Sequence, residues 1–137
     1  MSDRRDYKVI AVDFDGTLFE TDYPRIVRPI LPVIEMAKKR READDKLILW
    51  TCREGAELDS AVEACRAFGL EFDAVNDNLP EAKAEWGNNP RKVAADEYWD
   101  DRNCRIYLEE VVDHGKPAGR LCIFYPPVNN EGNDDES

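Results

Sequence analysis

The run Val9-Ile10-Ala11-Val12-Asp13-Phe14-Asp15-Gly16-Thr17 decides how the rest of the chain is read. An apolar, β-rich segment over residues 7–12 ends abruptly in two carboxylates two residues apart. Such a continuous run suits a parallel strand buried on both faces. Where the backbone curls after a strand, both carboxylates can converge on one site. Gly16 permits the tight turn and lets backbone N–H groups approach an anion. One carboxylate can then attack phosphorus while the other moves protons. The bland alternative is an acidic turn that only closes a strand, and a buried strand ahead of it weighs against that.

Downstream, apolar strands alternate with amphipathic helices. Residues 30 to about 42 carry Ile30, Val33, Ile34 and Ala37 at helical spacing. Pro32 suits a first turn, and the basic cluster at 38–41 suits a last turn, where cations meet the helix dipole. A solvated helix end is the preferred reading of that cluster over a patch for an anionic partner. Residues 46–50 read as a second buried strand. A helix over about 56–68 places Leu58, Ala61, Val62, Cys65 and Phe68 on one face, and Gly69 ends it. A third strand is predicted over 72–75, a loop with one short helical turn over 76–89, a fourth strand over 96–99 and a late strand over 121–125. Residues 106–112 fit helix and strand equally.

This alternation, without internal repeats, predicts an α/β fold: a Rossmann-like three-layer sandwich around a central parallel sheet. Ligands of such sheets bind beyond the carboxyl ends of the strands. Asp13 and Asp15 follow the first strand, Thr51 the second, Asp100 and Asp101 the fourth. The Thr51 hydroxyl suits a phosphoryl oxygen, although threonine is common at strand ends. Arg53 suits either a bidentate clamp on a substrate anion or a surface pair with a glutamate. Lys92, with Arg91 as an adjacent competitor, can fix a nucleophilic carboxylate and offset phosphoryl charge. Adjacent acids at the end of an apolar strand are costly unless they share a cation. Oxygen-only donors without histidine or cysteine indicate a hard divalent ion such as Mg²⁺. The one histidine, His114, sits in Asp113-His114-Gly115 and reads as a turn.

Composition narrows the partners. With 42% hydrophobic and 36% charged residues, 137 positions accommodate one densely charged globular domain, expected over 1–128. Residues 129–137 form an acidic tail too polar to pack, read as disordered. A formal net charge of -11 opposes binding to duplex nucleic acid. Residues 1–8 lack the apolar core of a secretory signal, and no run approaches a membrane span, so a cytoplasmic location without membrane association is expected. Cys52, Cys65, Cys104 and Cys122 show no CxxC pairing, which predicts reduced thiols and no zinc site.

In order, Asp13-Phe14-Asp15-Gly16-Thr17, then Thr51, Lys92 and Asp100-Asp101, the chain resembles the haloacid dehalogenase (HAD) superfamily over roughly residues 9–102. It looks most similar to small uncapped bacterial and phage members, through Tyr23-Pro24-Arg25, Leu49-Trp50-Thr51-Cys52-Arg53-Glu54 and the stretch from Lys92 to Arg102. The resemblance implies Asp13 as nucleophile and metal ligand. It implies Asp15 as general acid/base, contributing its backbone carbonyl to the metal. Thr51 and Lys92 would hold the phosphoryl group, with Gly16, Thr17 and Arg53 near the substrate, and Asp100 and Asp101 would complete a Mg²⁺ site. An acid at Asp15 suits phosphate-ester hydrolysis rather than dehalogenation. The implied activity is a phosphatase that forms an aspartyl phosphate, acting on a small-molecule phosphate ester.

Neither residues 16–50 nor residues 52–91 leave room for a cap domain, so the site is expected to be open, with at most a short flap around 17–28. An open site serves a large phosphorylated substrate or is covered by another subunit of a homo-oligomer. Three rival readings use similar residues. A receiver-type phosphoacceptor module uses similar residues but places its acid pair first and its lysine last, the reverse of the order here. A catalytically silent HAD-like scaffold would be expected to have lost acids that this chain keeps. A HAD phosphotransferase would pass the phosphoryl group to an acceptor other than water.

Overall fold

Val9, Ile10, Ala11 and Val12 are all buried, and they form strand β1 (Val9–Val12) at the centre of a four-stranded sheet. A computed structural model describes residues 5–125, with side chains at 105–108 and 121–125 left aside. Along the chain follow β2 (Phe19–Asp22), β3 (Arg25–Pro29), α1 (Leu31–Glu42), β4 (Lys46–Leu49), α2 (Gly55–Ala67), β5 (Ala74–Val75), α3 (Pro80–Trp86) and β6 (Glu97–Trp99). The sheet order is β5-β4-β1-β6, and every pairing is parallel. The chain is therefore α/β with a central parallel sheet.

Strand alternation assigns the two faces. Ile10 and Val12 of β1, with Leu47 and Leu49 of β4, pack against Ile34 and Ala37 of α1 and Ala61 and Cys65 of α2. Val9, Ala11 and Ile48 point the other way, onto Leu79, Val93 and Ala82. Each fully buried aliphatic side chain contributes about 1.5–3 kcal/mol, so the two clusters supply most of the driving force. Cys65 is a small buried hydrophobe, as expected, and burial pushes its thiol up to about 12. Helix α1 begins with proline in its first turn and ends with Lys39, Arg40 and Arg41 in its last, as its sequence predicts. Among the described residues no helix is long and apolar enough to cross a membrane.

Three expectations need adjusting. The segment read as loop with one helical turn contains α3, a seven-residue helix stopped by Gly87 at φ 75°. Pro80 sets its first turn, and Ala82 packs on the sheet. The third strand shrinks to Ala74–Val75. Asp73 delays its start, because its carboxylate rather than a backbone carbonyl accepts from the Leu47 N–H at 2.9 Å. Asp96 does the same for Val9 (2.8 Å) and Asp45 for Lys8 (2.9 Å). Part of the acidic excess thus finishes the amino ends of the parallel strands. Finally, the expected flap around 17–28 contains an antiparallel hairpin, β2–β3.

Arg40 ties this amino edge together. It donates to Asp45 (2.7 Å) and bidentately to Glu97 (2.9 and 2.8 Å). The Lys8 N–H and then Arg40 hold Asp45 below the usual carboxylate range. Arg40 does the same for Glu97 against the opposing effect of burial. Both folded values lie below the unfolded ones, so this stabilisation is present above the carboxylate range and lost as pH falls through the folded values. Arg40→Met is expected to cost about 1–2 kcal/mol at pH 7 in urea unfolding, discounted for the partial exposure of Glu97. The deficit should shrink toward pH 3; a pH-independent deficit would show that packing, not charge, dominates.

The chain divides into two compact units, Met1–Asp100 and Asp101–Ser137. In the second, β7 (Arg105–Asp113) and β8 (Lys116–Tyr125) form an antiparallel hairpin, which settles 106–112 as strand. His114 (φ 52°) and Gly115 (φ 77°) supply the two positive-φ residues of its tight turn, as their sequence predicts. The late strand predicted over 121–125 starts earlier, at Lys116. The acidic tail 129–137 lies outside the described residues.

Candidate active site at the carboxyl end of the sheet

Val12 pairs with Leu49 on one side and Trp99 on the other. The ladder continues one step further: the Trp50 N–H donates to Val12 O and the Asp13 N–H to Trp99 O, both at 2.9 Å. Asp13, Trp50 and Asp100 therefore leave the sheet at one level. Chain order reverses at β1, whose neighbours β4 and β6 are reached by connections running to opposite sides. Such a switch point is where α/β sheets open a crevice.

Asp13, Asp100 and Asp101, the last following directly on Asp100, each offer a carboxylate oxygen, and these oxygens lie within 4.8 Å of one another. Asp13 is half-buried and the other two are exposed. Three oxygen donors at this spacing, with no soft ligand among them, fit a hard divalent cation. Thr17, buried, donates its hydroxyl to Asp13 Oδ2 at 3.4 Å.

Gly16 has φ 85°, which confirms the need for glycine in this turn. Its N–H, however, donates to Phe19 O at 2.8 Å, and the N–H groups of Thr17 and Leu18 donate to Phe14 O. The expectation that amides at Gly16 and Thr17 face an anion is thus corrected. They close the turn that aims the acids.

Asp15 leans toward the hairpin. Its Oδ1 accepts from the Thr21 hydroxyl at 2.8 Å, and both oxygens accept from Arg53. Arg53 is 1% exposed, so it is neither an open clamp on a substrate anion nor a surface pair with a glutamate. The physical reason is that its donors are occupied by Asp15, Glu57 O and Pro24 O. Burial pushes the Asp15 carboxyl up, but hydrogen bonds from Arg53 and Thr21, with the Arg53 charge, outweigh it and hold the group below the usual range.

Thr51, half-buried, accepts the Arg53 N–H on its hydroxyl at 3.1 Å and donates its own N–H to Asn76 Oδ1 at 2.8 Å. Asn76 also donates to Arg53 O at 3.4 Å and has φ 51°, a conformation asparagine tolerates. Lys92 is exposed, with Nζ 5.5 Å from the centre of the Tyr98 ring. Its loop is braced by buried Asn78, which accepts the Ala94 N–H and donates to Asn89 and Pro90 O. Thr21, Asn76 and Asn78 were not singled out in the sequence. An asparagine just past a strand end was the only local signal for Asn76.

No protein-family model matches the chain, and no curated protein does. Among solved structures, a conserved protein from Bacteroides thetaiotaomicron is 48% identical and superposes with a TM-score of 0.64, covering 72% of this chain and 78% of that one.

Proposed function

The chain belongs to the same family as the conserved Bacteroides thetaiotaomicron protein, and on the chemistry of its own residues we propose that it is a Mg²⁺-dependent phosphohydrolase of the HAD type. The observation that carries this is the meeting of Asp13 with Asp100 and Asp101, carboxylate oxygens within 4.8 Å, one or two residues past the carboxyl ends of adjacent strands. The motif order and the three-layer α/β fold support it. A small phosphate monoester in the cytoplasm is the proposed substrate.

Asp13, Asp100 and Asp101 would hold Mg²⁺, with the Asp15 carbonyl as a further donor by resemblance. When bound, the ion would neutralise negative charge on the phosphoryl group and lower repulsion toward an anionic nucleophile. Asp13 attacks phosphorus through a carboxylate oxygen, and Thr17 steadies the other side of that carboxylate. Asp15 supplies the proton that the departing oxygen takes and later accepts one from water. Thr51 and Lys92 bind phosphoryl oxygens. The receiver reading loses because here the nucleophile precedes the lysine and the second acid pair.

The test is a panel of phosphate monoesters with Mg²⁺, Mn²⁺ and Co²⁺. Mg²⁺-dependent release of inorganic phosphate is expected, with loss in EDTA. Independently of turnover, saturating Mg²⁺ should raise unfolding stability by about 2.7 kcal/mol at a hundredfold excess over Kd. Asp100→Asn and Asp101→Asn should reduce that gain, the directly ligating residue more. A protein silent on the whole panel with every ion, and unmoved by Mg²⁺ in thermal unfolding, would refute the reading.

A further inference from the structure

Arg53 is the largest fully buried side chain of the described residues, and it sits beside the candidate site rather than in the core. Its guanidinium spans three segments. Nε and Nη2 reach Asp15, Nη2 also reaches Pro24 O at 3.2 Å, and Nη1 reaches Glu57 O at 3.3 Å. The rings of Phe14 and Tyr23 each have their centres 4.9 Å from its central carbon. A charge this enclosed is retained only where its partners compensate it. The two oxygens of Asp15 are served unequally. Among the described residues the side-chain donors to Oδ1 are Thr21 at 2.8 Å and Arg53 at 2.8 and 3.2 Å, whereas that to Oδ2 is Arg53 Nε at 2.9 Å. A carboxylate has about four acceptor directions, so the remaining capacity is on Oδ2.

Building on the phosphohydrolase reading, we propose that Arg53 is the positioning residue of proton transfer: with Thr21 it saturates Oδ1 of Asp15, turns Oδ2 toward the leaving group, and ties the β2–β3 hairpin to that carboxylate. In the first step an Asp13 oxygen bonds to phosphorus. The bond from phosphorus to the ester oxygen breaks, its electron pair stays on that oxygen, and the oxygen takes a proton that Oδ2, ionised in the resting site, has first picked up from solvent. In the second step water attacks the phosphoryl group, gives one proton back to Oδ2, and releases phosphate with Asp13 regenerated. Arg53 touches neither substrate nor phosphoryl group. It acts through Asp15.

Leaving-group dependence separates this role from a structural one. Single-turnover release of phenol from phenyl phosphate and of p-nitrophenol from p-nitrophenyl phosphate would be compared, with Mg²⁺, in wild type and Arg53→Lys. Lysine keeps the charge and loses the fork. The better p-nitrophenolate leaving group needs little protonation. Arg53→Lys is therefore expected to lose on the order of 10²-fold on phenyl phosphate and about tenfold on p-nitrophenyl phosphate, with KM changed less than about threefold. Equal losses on the two esters in a folded variant overturn the Arg53 role and leave the phosphohydrolase reading standing. Wild type inactive on both overturns both. If Arg53→Lys lacks a cooperative melt, Thr21→Val, which removes one Oδ1 donor, decides: a selective loss on phenyl phosphate supports the role, and equal losses overturn it.

Discussion

Asp13→Asn is expected to reduce Mg²⁺-dependent phosphate-ester hydrolysis by on the order of 10⁴-fold or more while leaving the protein folded. The amide keeps the shape of the carboxylate but is a far poorer nucleophile toward phosphorus. One bond that holds residue 13 in place is backbone: its N–H donates to Trp99 O at 2.9 Å, which the substitution leaves alone. The amide oxygen can still accept from Thr17. Charge makes the prediction sharper. Asp13, Asp100 and Asp101 crowd three carboxylate oxygens within 4.8 Å, and like charges at that spacing repel. In EDTA the variant should therefore melt at the wild-type temperature or slightly above it, and Mg²⁺ should stabilise it less than wild type. Phosphate release and thermal unfolding, each with and without Mg²⁺, check the three parts together. Turnover within tenfold of wild type would remove Asp13 as nucleophile. A large drop in melting temperature in EDTA would make its role structural instead.

Part of this site was legible because a strand buried on both faces gives no local reason for two acids at its end. Val9 to Val12 is buried throughout and needs no charge, yet two carboxylates follow; Asp100 and Asp101 after Trp99 were legible instead from their adjacency, since β6 is only partly buried. The helices were legible through Ile34 and Ala37, and through Ala61 and Cys65, all buried as their spacing predicts. The hairpin was harder. Phe19 is its only buried strand residue, and Glu20, Asp22 and Arg25 lie exposed beside it, so its apolar pattern is too thin to announce a strand. Arg53 was harder still. Its burial depends on Asp15, Pro24 and Glu57, which come together only in the folded chain, and no local pattern marks an arginine as interior. Asp45, Asp73 and Asp96 illustrate the same limit. Each looks like an ordinary surface acid, and each accepts a backbone N–H in or just before a strand, across 26 to 87 residues of sequence.

That enclosed arginine carries the other large effect. Arg53→Met, in EDTA to keep metal out of the comparison, is expected to cost about 3 kcal/mol in urea unfolding at pH 7, because it strands a partly buried carboxylate. The figure lies at the low end for a broken buried pair because the Asp15 side chain keeps 30% of its exposure while that of Arg53 keeps none. Adding Asp15→Asn removes the stranded charge, so the double variant should be more stable than Arg53→Met alone, with a coupling of about 2 kcal/mol across the cycle. The sign of the pH dependence follows from the same pair. Arg53 and Thr21 overcome burial and hold Asp15 below its unfolded value. Its contribution is then fully present above the ordinary carboxylate range and fades as pH falls through the folded value. The gap between wild type and Arg53→Met should narrow from pH 7 toward pH 3, while the gap between Arg53→Met, Asp15→Asn and its Asp15→Asn parent should not. Additive single effects would sink this account, since the stability of Arg53 would then come from its packing between Phe14 and Tyr23 rather than from the ion pair. The two outcomes also bear on design of the site: an ion pair that both stabilises the fold and orients Asp15 binds the β2–β3 hairpin to chemistry, whereas a packing role would leave that hairpin free to vary without cost to proton transfer.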